Sequence, residues 1–263
     1  MIVDTHCHAS LDWYEPVETL LHEMDANGVD RAVLIQIMGQ FDNEYQFECV
    51  RRYPSRLANV VLVDTDRADA GQQLERLAER GASGVRLRPT THSPGDDPLA
   101  IWRAAERLGV AVSCGGTSAE FASESFSAIV EALPGLRIVI EHLGAISRPD
   151  VAEAQLMLRQ KVFGLARFPN VYIKVPGLGE FSERALPVPG GFPFRQPIPG
   201  LLENAYAAFG PHRMMWGSDF PPVAGREGYR SALGLTRAQF AEKSQADRDL
   251  IFGDVGNSVF RIG

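Results

Sequence analysis

Two histidines separated by a single residue, His6 and His8, close the first apolar run of the chain in the segment VDTHCH. On an extended strand, positions two apart point the same way, so Asp4, His6 and His8 are expected on one face and Cys7 on the other. Two imidazoles at that spacing can hold one metal ion. His142 follows the apolar IVIE, and Asp219 follows MMWGS and precedes Phe-Pro-Pro. Alone, each has an ordinary explanation: a hydrogen-bonded strand-end histidine, and an Asx turn before proline. Taken together, two imidazoles and one carboxylate match the ligand set of a catalytic zinc site with a position left for water.

Cations stand at the ends of other apolar runs. Arg86 and Arg88 share one face of GVRLR, and Lys174 ends VYIK. If they face inward they need anionic partners, either a substrate carboxylate, which guanidinium pairs in a bidentate way, or an internal acid such as Asp4 or Glu141, unless they snorkel to solvent. Gln36, ending the second apolar run, is a further candidate for a polar substrate contact. Cys114 could bind zinc as a thiolate but reads better as a small buried packing residue. Cys7 and Cys49 are assigned to packing, and His22, His92 and His212 to the solvated surface.

These residues need elements to carry them. Short apolar runs alternate with longer amphipathic ones, the rhythm of βα units. Strands are expected at Ile2–Thr5, Ala32–Gln36, Ala58–Val63, Gly84–Leu87, Val110–Ser113, Ile138–Glu141, Val171–Lys174 and Arg213–Trp216. Helices are expected at Pro16–Asn27, Asn43–Arg52, Ala70–Arg80, Pro98–Leu108, Ala119–Leu133, Asp150–Arg167, Leu201–Phe209 and near Thr236–Leu250. Gly28, Gly81 and Gly109 stop three of them, and Pro16 and Pro98 are placed at first helical positions. Eight strand–helix units in 263 residues suit a closed parallel (β/α)8 barrel in one α/β domain spanning 1–263, a fold of ~250 residues. A dinucleotide-binding sheet would need a glycine-rich turn after the first strand, and the chain has His-Cys-His there. In a closed barrel the first and last strands are neighbours, so His6, His8 and Asp219 should meet at one rim with His142 across from them.

The stretch from Val175 to Gly200 breaks the rhythm with six prolines and five glycines. After the seventh strand it lies at the C-terminal mouth of a barrel, where it is expected to form an ordered lid or pocket wall. The net charge of −7 and the lack of a basic run argue against nucleic acid and anionic membranes as partners. No apolar run approaches a membrane span, no leader pattern opens the chain, and three cysteines cannot form a disulfide framework. A cytoplasmic location is the expectation, with self-association into a homo-oligomer left open.

The segments VDTHCH, AVLIQIMGQFDNEY, GVRLRP, IVIEHLG, NVYIKVPG, MMWGSDFPP and IFGDVGNSVFRI span nearly the whole chain. On these, the chain resembles the amidohydrolase superfamily, in its amidohydrolase-related TIM-barrel branch. It looks most like the sub-branch of 2-pyrone-4,6-dicarboxylate lactonases, with aminocarboxymuconate-type decarboxylases as cousins. The resemblance implies that His6 and His8 are the first-strand pair, His142 the sixth-strand histidine and Asp219 the general base. It also implies either a divalent metal, zinc or manganese, on His6, His8 and Asp219, or a site that works without one. Metal-binding relatives add a fifth-strand histidine, where this chain has Cys114 or Gly115. The function so implied is hydrolysis of a small carboxylated lactone or cyclic ester. The rival expectations are non-oxidative decarboxylation and a catalytically inactive barrel used for binding.

Overall fold

An apolar run becomes a parallel strand when both of its faces are covered, by helices outside and by the barrel interior within. The computed structural model describes residues 1–146 and 153–263. Its strands are β1 (Val3–Cys7), β2 (Arg31–Ile35), β3 (Leu57–Val61), β4 (Gly84–Leu87), β5 (Ala111–Cys114), β6 (Ile138–Ile140), β7 (Val171–Val175) and β8 (Met214–Trp216). All pair in parallel, in sequence order, as one eight-stranded sheet. The helices are α1 (Val17–Asn27), α2 (Glu44–Arg52), α3 (Ala70–Glu79), α4 (Ala100–Leu108), α5 (Ser118–Phe121), α6 (Glu124–Ala132) and α7 (Glu153–Gly164). They continue with α8 (Leu201–Phe209), α9 (Tyr229–Gln239), α10 (Gln245–Asp249) and α11 (Val255–Phe260). The result is a (β/α)8 barrel.

Every expected strand is present, and four helix boundaries differ for local reasons. The helix expected over 119–133 is split, because the Ser123 hydroxyl caps α6 by accepting from Phe126 N–H. After β8 the helix starts early, at Tyr229 behind the left-handed Gly228, and Ser244 caps a separate α10. Pro16 lies just before α1 in extended conformation rather than inside it, and Pro98 precedes α4 in a turn. Of the helix expected over 150–167, residues 150–152 lie outside the described residues. Gly28 and Gly109 end their helices with φ of 68° and 65°, as their lack of a Cβ allows.

Alternation sorts the strands into two apolar layers. Val85, Leu87, Val112, Cys114 and Ile173 face the helices. Val33, Ile35, Val60, Ala111, Val139 and Met215 face inward and pack on Val255, Val259 and Phe260 of α11, which fills one end of the barrel. The polar residues of the lumen lie beyond that packing, toward the strand C-termini. Among the described residues, no helix is long and apolar enough to cross a membrane.

Candidate active site

The barrel closes where β8 meets β1. Asp219 N–H donates to the His6 carbonyl at 2.8 Å, and His8 N–H donates to the Phe220 carbonyl at 2.8 Å. Gly217 permits this approach, since a Cβ there would lie 2.6 Å from the His6 Cβ. Asp219 Oδ1 consequently sits 3.9 Å from His6 Nε2 and 3.7 Å from His8 Nε2. The three residues are buried. Asp219 and His142 hold φ at 59° and 49°, a region that non-glycine residues seldom occupy and that recurs at functional sites. The expected meeting of the first and last strands is therefore present.

Asp4 does not share the environment of His6. The register between β1 and β2 shifts between Asp4 and Cys7, which breaks strict alternation. The Asp4 carboxylate instead accepts from Ser218 N–H, the Ser218 hydroxyl and the Tyr229 hydroxyl across the seam.

Beneath the histidines lies a charged network from β4, β5, β6 and β7. Arg86 donates through Nε and Nη2 to both oxygens of Glu141, at 3.1 and 2.7 Å. Ser113 donates to Glu141 Oε1 at 2.7 Å and accepts from Lys174 Nζ at 2.9 Å. Lys174 Nζ also lies 3.0 Å from His6 Nδ1. Burial alone would raise the Glu141 carboxyl, but Arg86, Lys174 and His142 outweigh it and hold it down to about 2. Burial lowers Lys174 to about 8 despite Glu141. Burial, followed by the charge of Lys174, pushes His6 well below the ordinary imidazole range, so it is neutral.

Toward solvent, the stretch after β7 brings Glu180 to the site, but it does not line the cavity beside His142. After β7 the chain makes a 3-10 turn, Leu178–Glu180, and then an arm in which Arg184 and Phe194 pair. Glu180 reaches His142 Nδ1 at 2.9 Å. Burial opposes the charge on His142, but Glu180, then Asp219 and Glu141, raise it to about 9. Arg226, from the loop after β8, donates to Asp219 Oδ2 at 2.8 Å and lies 3.4 Å from Glu180. Tyr14 stacks on His8 with ring centres 5.2 Å apart. Ser113, Tyr14, Glu180 and Arg226 were not among the residues expected from sequence.

A cavity of about 260 Å³ opens here, lined by Met38, Arg86, Arg88, Thr117, Glu141 and His142 among others. Arg86 and Arg88 thus reach open space, although Arg88 is also paired with Glu120 at 2.8 Å. Lys174 and Gln36 are not in its lining. Gln36 turns its amide to the Asp42 carbonyl and accepts from Ile37 N–H. The internal partner of Arg86 is Glu141, not Asp4, and Lys174 is held directly by Ser113 and His6, with the Glu141 charge acting on it through Ser113. Cys114 packs in the outer layer and β5 presents Ser113 inward, so no β5 side chain replaces the missing histidine. His22, His92 and His212 are exposed as expected.

A family model described as amidohydrolase matches residues 3–257. The chain belongs to the amidohydrolase family. This amidohydrolase is 26% identical over 213 residues to 4-sulfomuconolactone hydrolase of Rhizobium radiobacter, covering 78% of the chain and 66% of that relative's length. Its fold is similar to an amidohydrolase of Burkholderia multivorans with bound HEPES (TM-score 0.78, 20% identity, both chains fully covered). A zinc-bound crystal form of that protein gives a TM-score of 0.77 at 19% identity, again with full coverage. A 2-pyrone-4,6-dicarboxylic acid hydrolase of Pseudomonas putida gives 0.73 at 22% identity, over 99% of this chain and 97% of that one. These solved structures establish the shared barrel.

The donor atoms of this amidohydrolase fit a single divalent cation when Lys174 is uncharged. His6, His8 and Asp219 offer ligand atoms that all lie within 4.8 Å of one another. His8 donates Nδ1–H to the Ile35 carbonyl at 2.7 Å, which leaves the Nε2 lone pair facing Asp219. His6 Nε2 is buried without a hydrogen-bond partner. An uncharged Lys174 can accept from His6 Nδ1–H and leave Nε2 free to bind, whereas a charged Lys174 donates to Nδ1 and places the proton on Nε2.

Proposed function

We propose that this amidohydrolase opens a small anionic lactone, with Asp219 as the general base. The observation that carries the reading is the Asp219 carboxylate: Oδ2 is tied to Arg226, while Oδ1 faces two imidazoles. Burial pushes its carboxyl up, but the neighbouring His8, the charge on His142 and the bond from Arg226 bring it below the usual carboxylate range. It therefore stays ionised at neutral pH, as a base must. A water beside Oδ1 gives its proton to the carboxylate as its oxygen adds to the lactone carbonyl carbon. The ring C–O bond then breaks, and the proton passes to the departing oxygen, leaving an acid and a ring-opened hydroxyl or enol.

His142 remains cationic through neutral pH and is anchored at Nδ1 by Glu180, so its Nε2–H is available to the developing oxyanion. An ester carbonyl suits this donor set better than an amide, which needs more activation. Arg88 borders the cavity and supplies the contact for a substrate carboxylate, whereas Arg86 engages all three of its nitrogens with Glu141 and the Gln36 carbonyl. The names of the curated relative and of the P. putida neighbour, both lactone hydrolases, support the same substrate class.

His6, His8 and Asp219 would hold a divalent cation, zinc or manganese, and the zinc-bound neighbour supports this. When bound, such an ion supplies Lewis acidity that makes water more acidic and a carbonyl more electrophilic. Metal analysis of the purified protein should find roughly one equivalent per chain; less than about a tenth, with full turnover after chelation, would reject the metal. Three free, buried cysteines fit a reducing compartment, and we place the work in the cytoplasm.

The test uses 2-pyrone-4,6-dicarboxylate and 4-sulfomuconolactone in ¹⁸O-labelled water. Wild-type protein should place one labelled oxygen in the product carboxylate, and Asp219→Asn should lower kcat by roughly 10³-fold. An active Asp219→Asn variant would remove Asp219 as the base. Release of CO2 without label would replace hydrolysis with decarboxylation.

A further inference from the structure

A hydrolytic base needs no arginine, yet Asp219 is bound by one that has two further acidic neighbours. Arg226 Nη1 donates to Asp219 Oδ2 at 2.8 Å, Nη2 lies 3.4 Å from Glu180 Oε1, and Nε lies 3.6 Å from Glu227 Oε2. One guanidinium therefore hydrogen-bonds Asp219 and lies within ion-pair distance of two further carboxylates, the three coming from two loops. Glu227, whose side chain is fully buried, also accepts from the Gly179 N–H at 3.0 Å. A Cβ on Gly177 or Gly179 would collide with the Glu227 carboxylate, so the loop after β7 is moulded around that group. Only the Asp219 contact is a hydrogen bond. Arg226 Nε and Nη2 are buried without one and face Glu227 and Glu180 as longer ion pairs, so the guanidinium is oriented on the Asp219 carboxylate.

We propose that Arg226 is a positioning residue for the hydrolytic base, fixing Asp219 Oδ2 so that Oδ1 stays aimed at His6 and His8. Its charge also lies between Glu180 and Glu227, and Glu227 in turn ties the loop after β7 through the Gly179 N–H. The proposal rests on Asp219 being the base. Because the charge of Arg226 is taken up by three carboxylates, it has none to offer a substrate anion. Its loss should therefore act on turnover and leave affinity nearly unchanged.

The experiment compares wild type, Arg226→Ala and Arg226→Lys on whichever of the two lactones the wild type opens faster, with crystal structures of wild type and Arg226→Ala. Arg226→Ala should lose about 10- to 100-fold in kcat with KM within about threefold, as a misplaced catalytic group does. Arg226→Lys, which keeps the charge and the fold, should recover part of that loss at unchanged KM. A kcat within threefold of wild type, a raised KM at unchanged kcat, or a lysine variant no faster than the alanine variant would each overturn the proposal. If the wild type opens neither lactone, the hydrolytic reading fails, and the crystal structures still decide the positioning. An Asp219 carboxylate rotated away from His6 and His8 in Arg226→Ala upholds it, and one in its wild-type place overturns it.

Discussion

The polar lumen has two storeys built from the same residue types and wired differently. In the lower one, Glu141 Oε1 meets Ser113 and Arg86, Oε2 meets Arg86, and Lys174 is held by Ser113 and His6. In the upper one, Asp219 Oδ1 faces two imidazole nitrogens beyond hydrogen-bond distance, and His6 Nε2 has no partner. Buried polar groups are normally satisfied, because leaving one unmade costs about 1–3 kcal/mol. The lower storey follows that rule and is architecture. The upper one departs from it where a water, an ion or a substrate would bind.

Substitutions can break this contrast. Glu141→Ala leaves Arg86 and Lys174 buried and uncompensated, so it should cost about 3–5 kcal/mol in urea unfolding. Asp219→Asn should cost less than about 1 kcal/mol in the same measurement, since a partly unsatisfied carboxylate gives up little on losing its charge. Equal losses would erase the distinction between the storeys.

Acid should separate them as well. The folded Glu141 carboxyl is held down to about 2, below its ordinary 4.5. Its contribution is therefore complete above 4.5 and is lost as pH falls toward 2. Thermal melts of the wild type should drop across that window, and those of Glu141→Gln should drop less. Identical slopes would place the acid sensitivity elsewhere. The smallest stability effect belongs to Arg88→Ala, whose pair with Glu120 is partly exposed: under about 1 kcal/mol. Its KM for an anionic lactone should rise at unchanged kcat, and an unmoved KM would remove Arg88 from substrate contact.

The strands were legible because runs such as Val-Leu-Ile and Ile-Val-Ile are buried on both faces, and His6, His8, His142 and Asp219 could be placed by their position at strand ends. Ser113 was within reach, since it stands in the inward phase between Val112 and Cys114. Glu180 and Arg226 were not, because they come from loops whose paths follow no period. Their only trace is an acid in GLGEF and a base in GREGY. The cations near the mouth were found, but sequence alone left their partner open between Asp4, Glu141 and a substrate. The slip in register along β1 settled part of that by taking Asp4 to the seam.

The last helix has a role that its distance in sequence from the histidines conceals. Phe260 lies under the lumen with its ring centre 5.5 Å from Lys174 Nζ, and Val255 and Val259 pack beside it. It works as a stopper. Unwinding the chain's tail, or pulling it out with a bulky fusion, would let solvent rise from below and hydrate the lysine whose charge governs which nitrogen of His6 carries the proton.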